Sequence, residues 1–219
     1  MYKTEQLFDI TKTQAGEYLS TFANPWEALS GVKRFIQTLG EELPKEEYEE
    51  RFVGVWIHKS AKISPTAYIQ PPCIIGENSE VRHCAFIRGS VLIGKDCVVG
   101  NSTEVKNAVL FDGVQVPHYN YVGDSILGYK AHLGAGAITS NVKSDKMPVV
   151  VRDGDEEIHT GLKKLGAMVG DFAEIGCNSV LNPGTVVGKN ASVYPLSLVR
   201  GTVKENCIYK KQGEVVNRR

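Results

Sequence analysis

Over its central part the chain has a hydrophobic pattern with a period of six. An aliphatic or aromatic residue recurs at every sixth position from Ile57 to Phe111, and a mostly small residue follows four places after each. The ten members of the series are Ile57, Ile63, Ile69, Ile75, Val81, Ile87, Ile93, Val99, Val105 and Phe111. Helices repeat every 3.6 residues and half-buried strands every two, so neither explains this pattern. The period predicts an all-β solenoid, a left-handed parallel β-helix of hexapeptide repeats in which three repeats close one coil.

The period is interrupted twice before the chain ends. Near Pro117 the series slips, and the apolar positions continue at Val116, Val122, Leu127 and Leu133. Because proline removes a strand hydrogen-bond donor, we expect a corner or bulge there. From residue 141 to residue 166 the period is absent, and it then resumes at Val169, Ile175, Leu181, Val187, Val193 and Val199. We therefore assign the β-helix to residues 53–208.

Three other segments differ from the repeat. Residues 1–52 predict a small helical cap over one end of the coil, with Asn24-Pro25 opening an amphipathic helix and a second, acidic helix over residues 45–51. The Asp153-Gly154 pair predicts a β-hairpin that projects from the coil within 141–166. Residues 209–219 form a basic tail, expected as a capping strand with a frayed end that includes Arg218 and Arg219.

Composition narrows the function classes. The formal net charge is zero, with 25 Lys plus Arg and 25 Asp plus Glu, which argues against binding nucleic acid or a membrane surface through bulk charge. No apolar run reaches the roughly 18 residues of a membrane span. The five cysteines form no C-x-x-C pair, and Cys73 and Cys97 occupy small positions of the repeat, so they are expected to be apolar fillers in a reducing, cytoplasmic compartment.

Two basic residues are expected to stack on one face of the coil. Arg88 and Lys106 are one coil of 18 residues apart, and each directly follows an inward-facing residue. Like charges one rung apart cost energy unless an anion lies between them. A phosphate clamp is one interpretation, and two solvated surface charges are the other.

His118 is the candidate catalytic residue. It lies at the predicted register slip, with Tyr121 three residues later and Glu104 in the preceding coil. An imidazole accepts a proton near neutral pH, and a carboxylate such as Glu104 can fix its tautomer. A structural hydrogen-bonding role remains the alternative. A zinc triad of His83, His118 and His132 is not expected, because their spacings do not correspond to whole coils.

The chain resembles a known family of enzymes. The segment from Ser102 to Gly128 and the run Leu133-Gly-Ala-Gly-Ala-Ile-Thr-Ser-Asn141 resemble the acetyltransferase domain of bifunctional sugar-1-phosphate nucleotidyltransferases. These include the bacterial proteins that make UDP-N-acetylglucosamine and their archaeal relatives, to which the run from Thr160 to Asp171 is especially similar. The resemblance covers roughly residues 60–205. The nucleotidyltransferase domain itself is not expected here, because no Gly-rich nucleotide loop opens the chain.

The resemblance implies a reaction and a role for each site residue. His118 would be the general base toward the amine of a hexosamine 1-phosphate, with Glu104 positioning it. Arg88 and Lys106 would hold the phosphate, and Tyr121 and Asn141 would bind the sugar. Ala135 and Cys177 would contact acetyl-coenzyme A, which in such proteins lies between neighbouring coils of a homotrimer. No metal is implied.

Departures from the family pattern leave other functions open. His132 replaces an asparagine, Cys177 replaces a serine, and Val142 follows Asn141 where an aromatic residue is usual. The chain is therefore predicted to be an acetyl-CoA-dependent N-acetyltransferase acting on glucosamine 1-phosphate or galactosamine 1-phosphate. The alternatives are a non-catalytic hexapeptide-repeat subunit that binds a sugar phosphate or sugar nucleotide, and an acyltransferase for another, nucleotide-linked, amino sugar. The sequence does not identify the sugar, the pathway or the role of residues 1–52.

Overall fold

The computed structural model describes residues 1–211 and 213–217, so Arg218 and Arg219 lie outside the described residues. Short strands follow one another around a β-solenoid of about nine turns. Strands one coil apart pair in parallel register, for example Ile57 with Ile75 and Ile75 with Ile93. The predicted fold class, a left-handed parallel β-helix of hexapeptide repeats, is confirmed.

The coil is a prism with three faces. Face 1 contains the strands Val55–His58, Cys73–Ile75, Val91–Ile93, Ala167–Val169, Thr185–Val187 and Thr202–Val203. Face 2 contains Lys62–Ile63, Glu80–Val81, Val98–Asn101, Gln115–His118, His132–Leu133, Glu174–Ile175, Ser192–Val193 and Cys207–Lys211. Face 3 contains Tyr68–Ile69, Phe86–Ile87, Ile138–Thr139, Val180–Leu181 and Leu198–Val199. Two longer strands, Glu104–Leu110 and Tyr121–Leu127, run from face 3 around a corner onto face 1 and join these faces into one sheet.

The register slip occurs earlier than Pro117. Ile93 pairs with Leu110, not with Phe111, so the step from Val105 to the next inward residue is five instead of six. A second short step follows from Val122 to Leu127, which pairs with Leu110. The two shortened corners are at Asn107 and Asp124, which have positive φ values of 46° and 49°. Asparagine and aspartate tolerate this left-handed conformation better than most residues, which is why they fit such corners.

Residues 1–44 lie along face 1 instead of covering one end of the coil. The segment contains the α-helices Thr4–Leu7, Gly16–Ser20 and Val32–Glu42 and the 3₁₀ helices Ile10–Lys12 and Pro25–Ser30. Its beginning is bonded to the late coils, since the amide of Asp171 donates to Leu7. Its end reaches the early coils, where the helix Val32–Glu42 contacts the strands Cys73–Ile75 and Val91–Ile93. The prediction of an end cap was wrong because an amphipathic pattern identifies the buried side of a helix but not the surface that covers it.

The partner of these helices is a ladder of outward-facing apolar residues on face 1. Side chains alternate along a strand, so the residue before each inward one points outward. On face 1 these outward residues are buried, which is possible only because the N-terminal segment packs over them. They are Ile74, Leu92, Val109, Ile126, Met168 and Val186.

The predicted acidic helix at residues 45–51 is a strand instead. Tyr48–Phe52 pairs antiparallel with Val55–His58, the first strand of face 1. This hairpin turns at Gly54, where φ is +77°. The glutamates had suggested a solvated helix, but strand pairing with the otherwise open first coil determines the local structure.

The excursion at 141–166 contains the predicted hairpin. Val150–Asp153 pairs antiparallel with Glu156–His159, and the turn contains Gly154 with φ +61°. The hairpin does not project freely, however. Val149 and Val151 are buried, and the hydroxyl of Thr202 donates to the Arg152 carbonyl at 2.7 Å. The excursion therefore packs back onto the later coils.

The C-terminal residues complete the coil and then turn back. Cys207–Lys211 continues face 2, and Glu214–Asn217 pairs with it antiparallel. The capping strand predicted within 209–219 is thus the second arm of a hairpin. Among the residues that the structure describes, no helix has the length and apolar character needed to cross a lipid bilayer.

Candidate active site

The predicted substrate-binding residues meet on face 3. The register places Arg88 and Lys106 side by side, with Ile87 opposite Val105 one residue earlier. Each cation has its own carboxylate: Arg88 donates to Glu104 at 2.6 Å, and Lys106 lies 3.3 Å from Asp124. The stacking predicted from the 18-residue spacing is present. The two stacked cations do not require an external anion, because Glu104 and Asp124 of the protein itself neutralise them.

The buried carboxylate of Asp124 is the centre of this face. Besides Lys106, it accepts hydrogen bonds from the side-chain amides of Asn107 at 2.8 Å and Asn141 at 2.5 Å. The same Asn141 amide donates to the hydroxyl of Tyr121 at 3.1 Å. Three residues that were predicted separately therefore form one connected group, namely Lys106, Tyr121 and Asn141. We use the name face-3 cluster for these three residues together with Arg88, Glu104, Asn107 and Asp124.

The charges of this cluster affect its tyrosine and its arginine. Burial raises the pKa of Tyr121, and the neighbouring carboxylates of Asp124 and Glu104 add to the effect because they oppose formation of a phenolate. The hydrogen bond from Arg88 to Glu104 raises the pKa of the guanidinium. Tyr121 therefore remains a neutral hydroxyl, and Arg88 a cation, across the physiological range.

The remaining predicted residues lie along the edge between faces 2 and 3, one coil after another. We call this row the 2–3 edge. The amide of Gly136 donates to the carbonyl of His118 at 3.0 Å, and the amide of Asn178 donates to that of Ala135 at 2.8 Å. His118, Ala135 and Cys177 consequently occupy equivalent corners of three consecutive coils.

His118 exposes its ring at this edge. Within the described residues, no hydrogen bond or ion pair to the imidazole is found, while its backbone amide donates to Asn120 at 3.1 Å. Glu104, predicted to fix its tautomer, is bonded to Arg88. The structure therefore does not bring Glu104 and His118 together as a pair, since the carboxylate lies on face 3 and is directed toward the guanidinium one coil earlier.

Asn120 links the corner of His118 to the next corner. Its buried side-chain amide donates to the carbonyls of Gly134 at 2.8 Å and Ala137 at 3.1 Å, while its oxygen accepts from His118. This bridge fixes the position of His118 relative to Ala135. Asn120 was not among the predicted site residues, although a side chain able to donate and accept, next to a candidate base, was a usable signal.

The glycines of the Gly134–Ala137 run are required by the coil itself. A Cβ at Gly134 would lie 2.8 Å from the backbone nitrogen of Cys177, and Gly136 has φ +71°. Close packing between coils therefore explains these glycines without a ligand. What the corner does offer is donors: within the described chain, no acceptor is found for the amides of Ala135 and Cys177. Ala135 is partly exposed and Cys177 is exposed, so a ligand carbonyl could bind there.

Asp124 and Asn107 were missed by the sequence analysis. Their side chains enter the cluster because both corners are one residue shorter than the standard repeat. The signal was the five-residue step to Leu127, which identifies Asp124 as a corner. The first short step was hidden because Phe111, one residue beyond Leu110, fits the six-residue series.

Neither the histidines nor the cysteines assemble a metal centre in the described residues, where no group of three His, Cys, Asp or Glu side chains could hold an ion. His132 instead pairs with Glu174 at 2.8 Å on face 2. The cysteines are unpaired thiols, and Cys73 and Cys97 are buried in the coil as predicted.

Two parts of the chain match models of known protein families. Residues 54–89 match the bacterial transferase hexapeptide model of six repeats, and residues 79–153 match the model of the GMPPB C-terminal domain. Among solved structures, the chain is similar to the UDP-N-acetylglucosamine O-acyltransferase of Moraxella catarrhalis, with 13% identity, coverage of 75% of this chain and 72% of that one, and a TM-score of 0.45. The acetyltransferase domain of PglB from Neisseria gonorrhoeae, solved with acetyl coenzyme A, is 17% identical, covers 81% and 63%, and has a TM-score of 0.37.

Sequence relatives are more similar and cover more of the chain. The bifunctional protein GlmU of Methanococcus maripaludis strain S2 is 32% identical over 92% of this chain and 50% of its own length. A bifunctional sugar-1-phosphate nucleotidylyltransferase/acetyltransferase of Sulfurisphaera tokodaii is 31% identical over 85% of this chain and 47% of its own length. The chain thus spans about half the length of these curated relatives. The chain therefore contains hexapeptide repeats and is similar over most of its length to part of the GlmU-type bifunctional proteins.

Proposed function

We propose that the chain is an acetyl-CoA-dependent N-acetyltransferase whose acceptor is a hexosamine 1-phosphate, either glucosamine 1-phosphate or galactosamine 1-phosphate. The observation that supports this most directly is the exposed imidazole of His118 at the 2–3 edge, without a partner among the described residues. The unused amide of Ala135 lies one coil away. A base and a carbonyl-binding donor on neighbouring coils are what acyl transfer to an amine requires.

In this proposal His118 removes a proton from the acceptor amine. An amino group is mostly protonated at neutral pH and attacks a thioester carbonyl only after losing that proton. A neutral imidazole can accept that proton and is the commonest general base near neutral pH. The Asn120 bridge keeps the histidine corner at a fixed distance from the corner of Ala135. The carboxylate of Glu104 belongs to the sugar side of the site in this arrangement, because it is bonded to Arg88.

The edge amides of Ala135 and Cys177 would bind the acetyl donor. A peptide N–H without an acceptor can donate to the thioester oxygen, where negative charge develops during the attack. Both residues are accessible, and the side chains there are a methyl group and a thiol. A small side chain allows a ligand to approach the backbone, so the replacement of a family serine by Cys177 preserves the backbone donor.

The phosphate would bind at Arg88 and Lys106. Each makes one contact to a carboxylate, at 2.6 Å for Arg88 and 3.3 Å for Lys106. A guanidinium has five N–H donors and an ammonium three, so both retain donors for phosphate oxygens. Their carboxylate partners hold the two cations in place before a ligand arrives. This favours a phosphorylated sugar over a neutral one.

The Sulfurisphaera tokodaii relative supports the substrate class through its name, which combines a sugar-1-phosphate with acetyl transfer. The other part of the proposal, an active site shared between copies of a homotrimer, follows from the family resemblance. The N-terminal segment leaves faces 2 and 3 as the surfaces for such an assembly, because it occupies face 1.

Release of the thiol from acetyl-CoA tests the proposal. The acceptors compared are glucosamine 1-phosphate, galactosamine 1-phosphate, free glucosamine and a UDP-linked amino sugar. We expect one hexosamine 1-phosphate to give the highest kcat/KM, with the N-acetylated product identified by mass spectrometry. If the UDP-linked amino sugar gives the highest kcat/KM, the acceptor is a nucleotide-linked sugar and not a hexosamine 1-phosphate. Absence of turnover with every acceptor, in folded protein that binds a sugar phosphate by calorimetry, would favour a non-catalytic subunit.

A further inference from the structure

The buried carboxylate of Asp124 does more than neutralise Lys106. It accepts three hydrogen bonds, from Lys106, Asn107 and Asn141, which approach it from the preceding coil and from the following one. Only 6% of its side-chain surface is exposed, so it cannot itself contact much of a ligand. A buried charge is tolerated only when it is fully bonded, and here every partner is a donor.

An ionised carboxylate accepts hydrogen bonds and never donates them. Because Asn141 lies 2.5 Å from Asp124, it must present its NH₂ group and not its oxygen. The same NH₂ group lies 3.1 Å from the Tyr121 hydroxyl, so the hydroxyl oxygen is an acceptor in that contact. The O–H proton of Tyr121 and the carbonyl oxygen of Asn141 therefore both remain available to a ligand.

We propose that Asp124 is a positioning residue of the sugar-phosphate site, which sets the hydrogen-bond direction of Asn141 and Tyr121 and holds Lys106. This rests on the proposed function and extends it. With Asp124 ionised, the site offers the Tyr121 hydroxyl, Lys106 and Arg88 as donors. It therefore selects ligand groups that accept, such as phosphate oxygens. Asn141 provides the single amide oxygen that accepts from a sugar hydroxyl.

Asp124→Asn is the appropriate variant. The corner has φ +49°, which asparagine tolerates, and the shape of the side chain is retained. The new amide can donate as well as accept, so Asn141 is no longer forced into one orientation. The backbone carbonyl of residue 124 continues to accept from Gly166, a 2.8 Å bond that does not depend on the side chain.

Asp171→Asn is the matched control. Asp171 is equally buried, pairs with Lys189 at 3.1 Å and accepts from the amides of Asp9 and Tyr129. It is on the side of the coil that the N-terminal segment covers, away from the face-3 cluster. The two substitutions remove the same charge from similarly bonded positions, so a general loss of stability should appear in both.

Steady-state kinetics provide the first measurement. We expect Asp124→Asn to raise the KM for the hexosamine 1-phosphate about tenfold or more, because charge-assisted contacts are of this size. The KM for acetyl-CoA should stay within about twofold, since no donor of the 2–3 edge contacts Asp124. Asp171→Asn should change neither KM. In a double-mutant cycle with Asn141→Ala, the two effects on KM should be less than additive. Equal changes in both KM values, or full additivity, would overturn the proposal.

The ionisation of Tyr121 provides a measurement that needs no turnover. The tyrosinate absorbance is titrated in Asp124→Asn and in the parent protein, with Tyr121→Phe used to assign the signal. Removing the negative charge should lower the pKa of Tyr121, while Glu104, Arg88 and Asn141 continue to face it. If the parent protein transfers no acetyl group to any sugar, the proposed reaction fails, and this titration still decides whether Asp124 organises the cluster. An unchanged Tyr121 pKa would contradict the assignment.

Discussion

His118 has an exposed ring without a hydrogen bond or ion pair among the described residues, unlike the two other histidines on face 2 or its edges. His83, at the equivalent corner two coils earlier, is bonded to the Thr66 hydroxyl at 2.8 Å, and His132 pairs with Glu174. We expect His118→Ala to lower kcat by about two to four orders of magnitude, the usual contribution of a general base. The melting temperature should hardly change, because the ring makes no hydrogen bond or ion pair with the described residues.

His83→Ala is the control for this experiment. It removes an imidazole from the same edge, along with a real hydrogen bond, so it should reduce stability slightly and leave kcat intact. A His118→Ala protein that is destabilised but active per folded molecule would mean that the residue is structural.

Arg88 and Lys106 are predicted to act on the phosphate alone. Arg88→Ala and Lys106→Ala should each raise the KM for the phosphorylated sugar, since each removes a charge-assisted contact of roughly 1.5–3 kcal/mol. Free glucosamine, which has no phosphate, should be affected much less. Arg82 provides the matched control, because it pairs with Glu80 at 3.0 Å on face 2, outside the cluster. If KM rises equally for both sugars, the two cations have a structural role in the cluster and do not bind the phosphate.

The buried thiols should make stability depend on alkaline pH. Burial raises the pKa of Cys73 and raises that of Cys97 to about 12. Both therefore stay protonated in the folded coil, whereas in the unfolded chain they ionise above about pH 8.5. The contribution of these buried thiols to the free energy of unfolding is complete below that pH and is lost as the pH rises. The slope expected from each thiol approaches about 1.4 kcal/mol per pH unit.

Urea unfolding at pH 8 and pH 10 measures this effect. Replacing both residues by alanine, which already occupies the same repeat position at Ala61 and Ala67, should flatten the pH dependence. Cys84→Ala, at an exposed position, should leave it unchanged. A double variant with the parent's slope would show that other groups cause the alkaline loss.

The sequence predicts those neighbours in the site that are separated by one complete coil of 18 residues. The spacing of Arg88 and Lys106 predicts their stacking because the early coils have 18 residues each. The spacing does not predict the partners of the two cations. Asp124 reaches Lys106 only because the intervening corners are shortened, and a five-residue step depends on backbone conformation at Asn107 more than on the apolar series.

At the level of strands and helices, the N-terminal segment buries the outer side of face 1. Phe8, in the N-terminal segment, is 2% exposed and packs on Phe111 with ring centroids 5.1 Å apart. We expect Phe8→Ala to reduce the free energy of unfolding by about 3–5 kcal/mol, as for other buried phenylalanines. Phe52→Ala, at a position that is 63% exposed, should cost little. Chemical denaturation of both variants checks this, and similar small losses would mean that the segment is only loosely attached.

The six-residue repeat was enough to predict the coil. Predicting that the N-terminal segment packs on face 1 requires a second pattern, that of the outward-facing residues. Branched residues at every sixth position report the inside of the prism. The outside of face 1 is also apolar, at Ile74, Leu92, Val109 and Ile126. Each of these residues directly precedes an inward-facing residue of the same strand, so the sequence does not show it as a separate series. Outward apolar residues on one face only are a usable signal that another segment covers that face. The same reasoning explains the hairpin that packs back through Val149 and Val151.

For the assembly as a whole, the N-terminal cover changes which surface can mediate association. The homotrimer that the family resemblance implies needs apolar side chains that are exposed on each copy. Val91 and Val109 are buried within the chain, so they cannot contact another copy, and Tyr119 is 63% exposed. Face 3 presents further apolar side chains, with Tyr68 62% and Leu198 53% exposed. Cyclic association of three prisms through faces 2 and 3 remains the prediction.

Light scattering at micromolar concentration tests this association, with an expected mass of three chains of 24.0 kDa each. Leu198→Glu should reduce that mass if face 3 is buried between copies, because it introduces an unpaired charge into the contact. Val53→Glu is the control, since Val53 is 89% exposed at the turn of the first hairpin. A parent protein with the mass of one chain that still transfers acetyl groups would exclude a site shared between copies. His118 and Ala135 of a single chain would then be sufficient for the reaction.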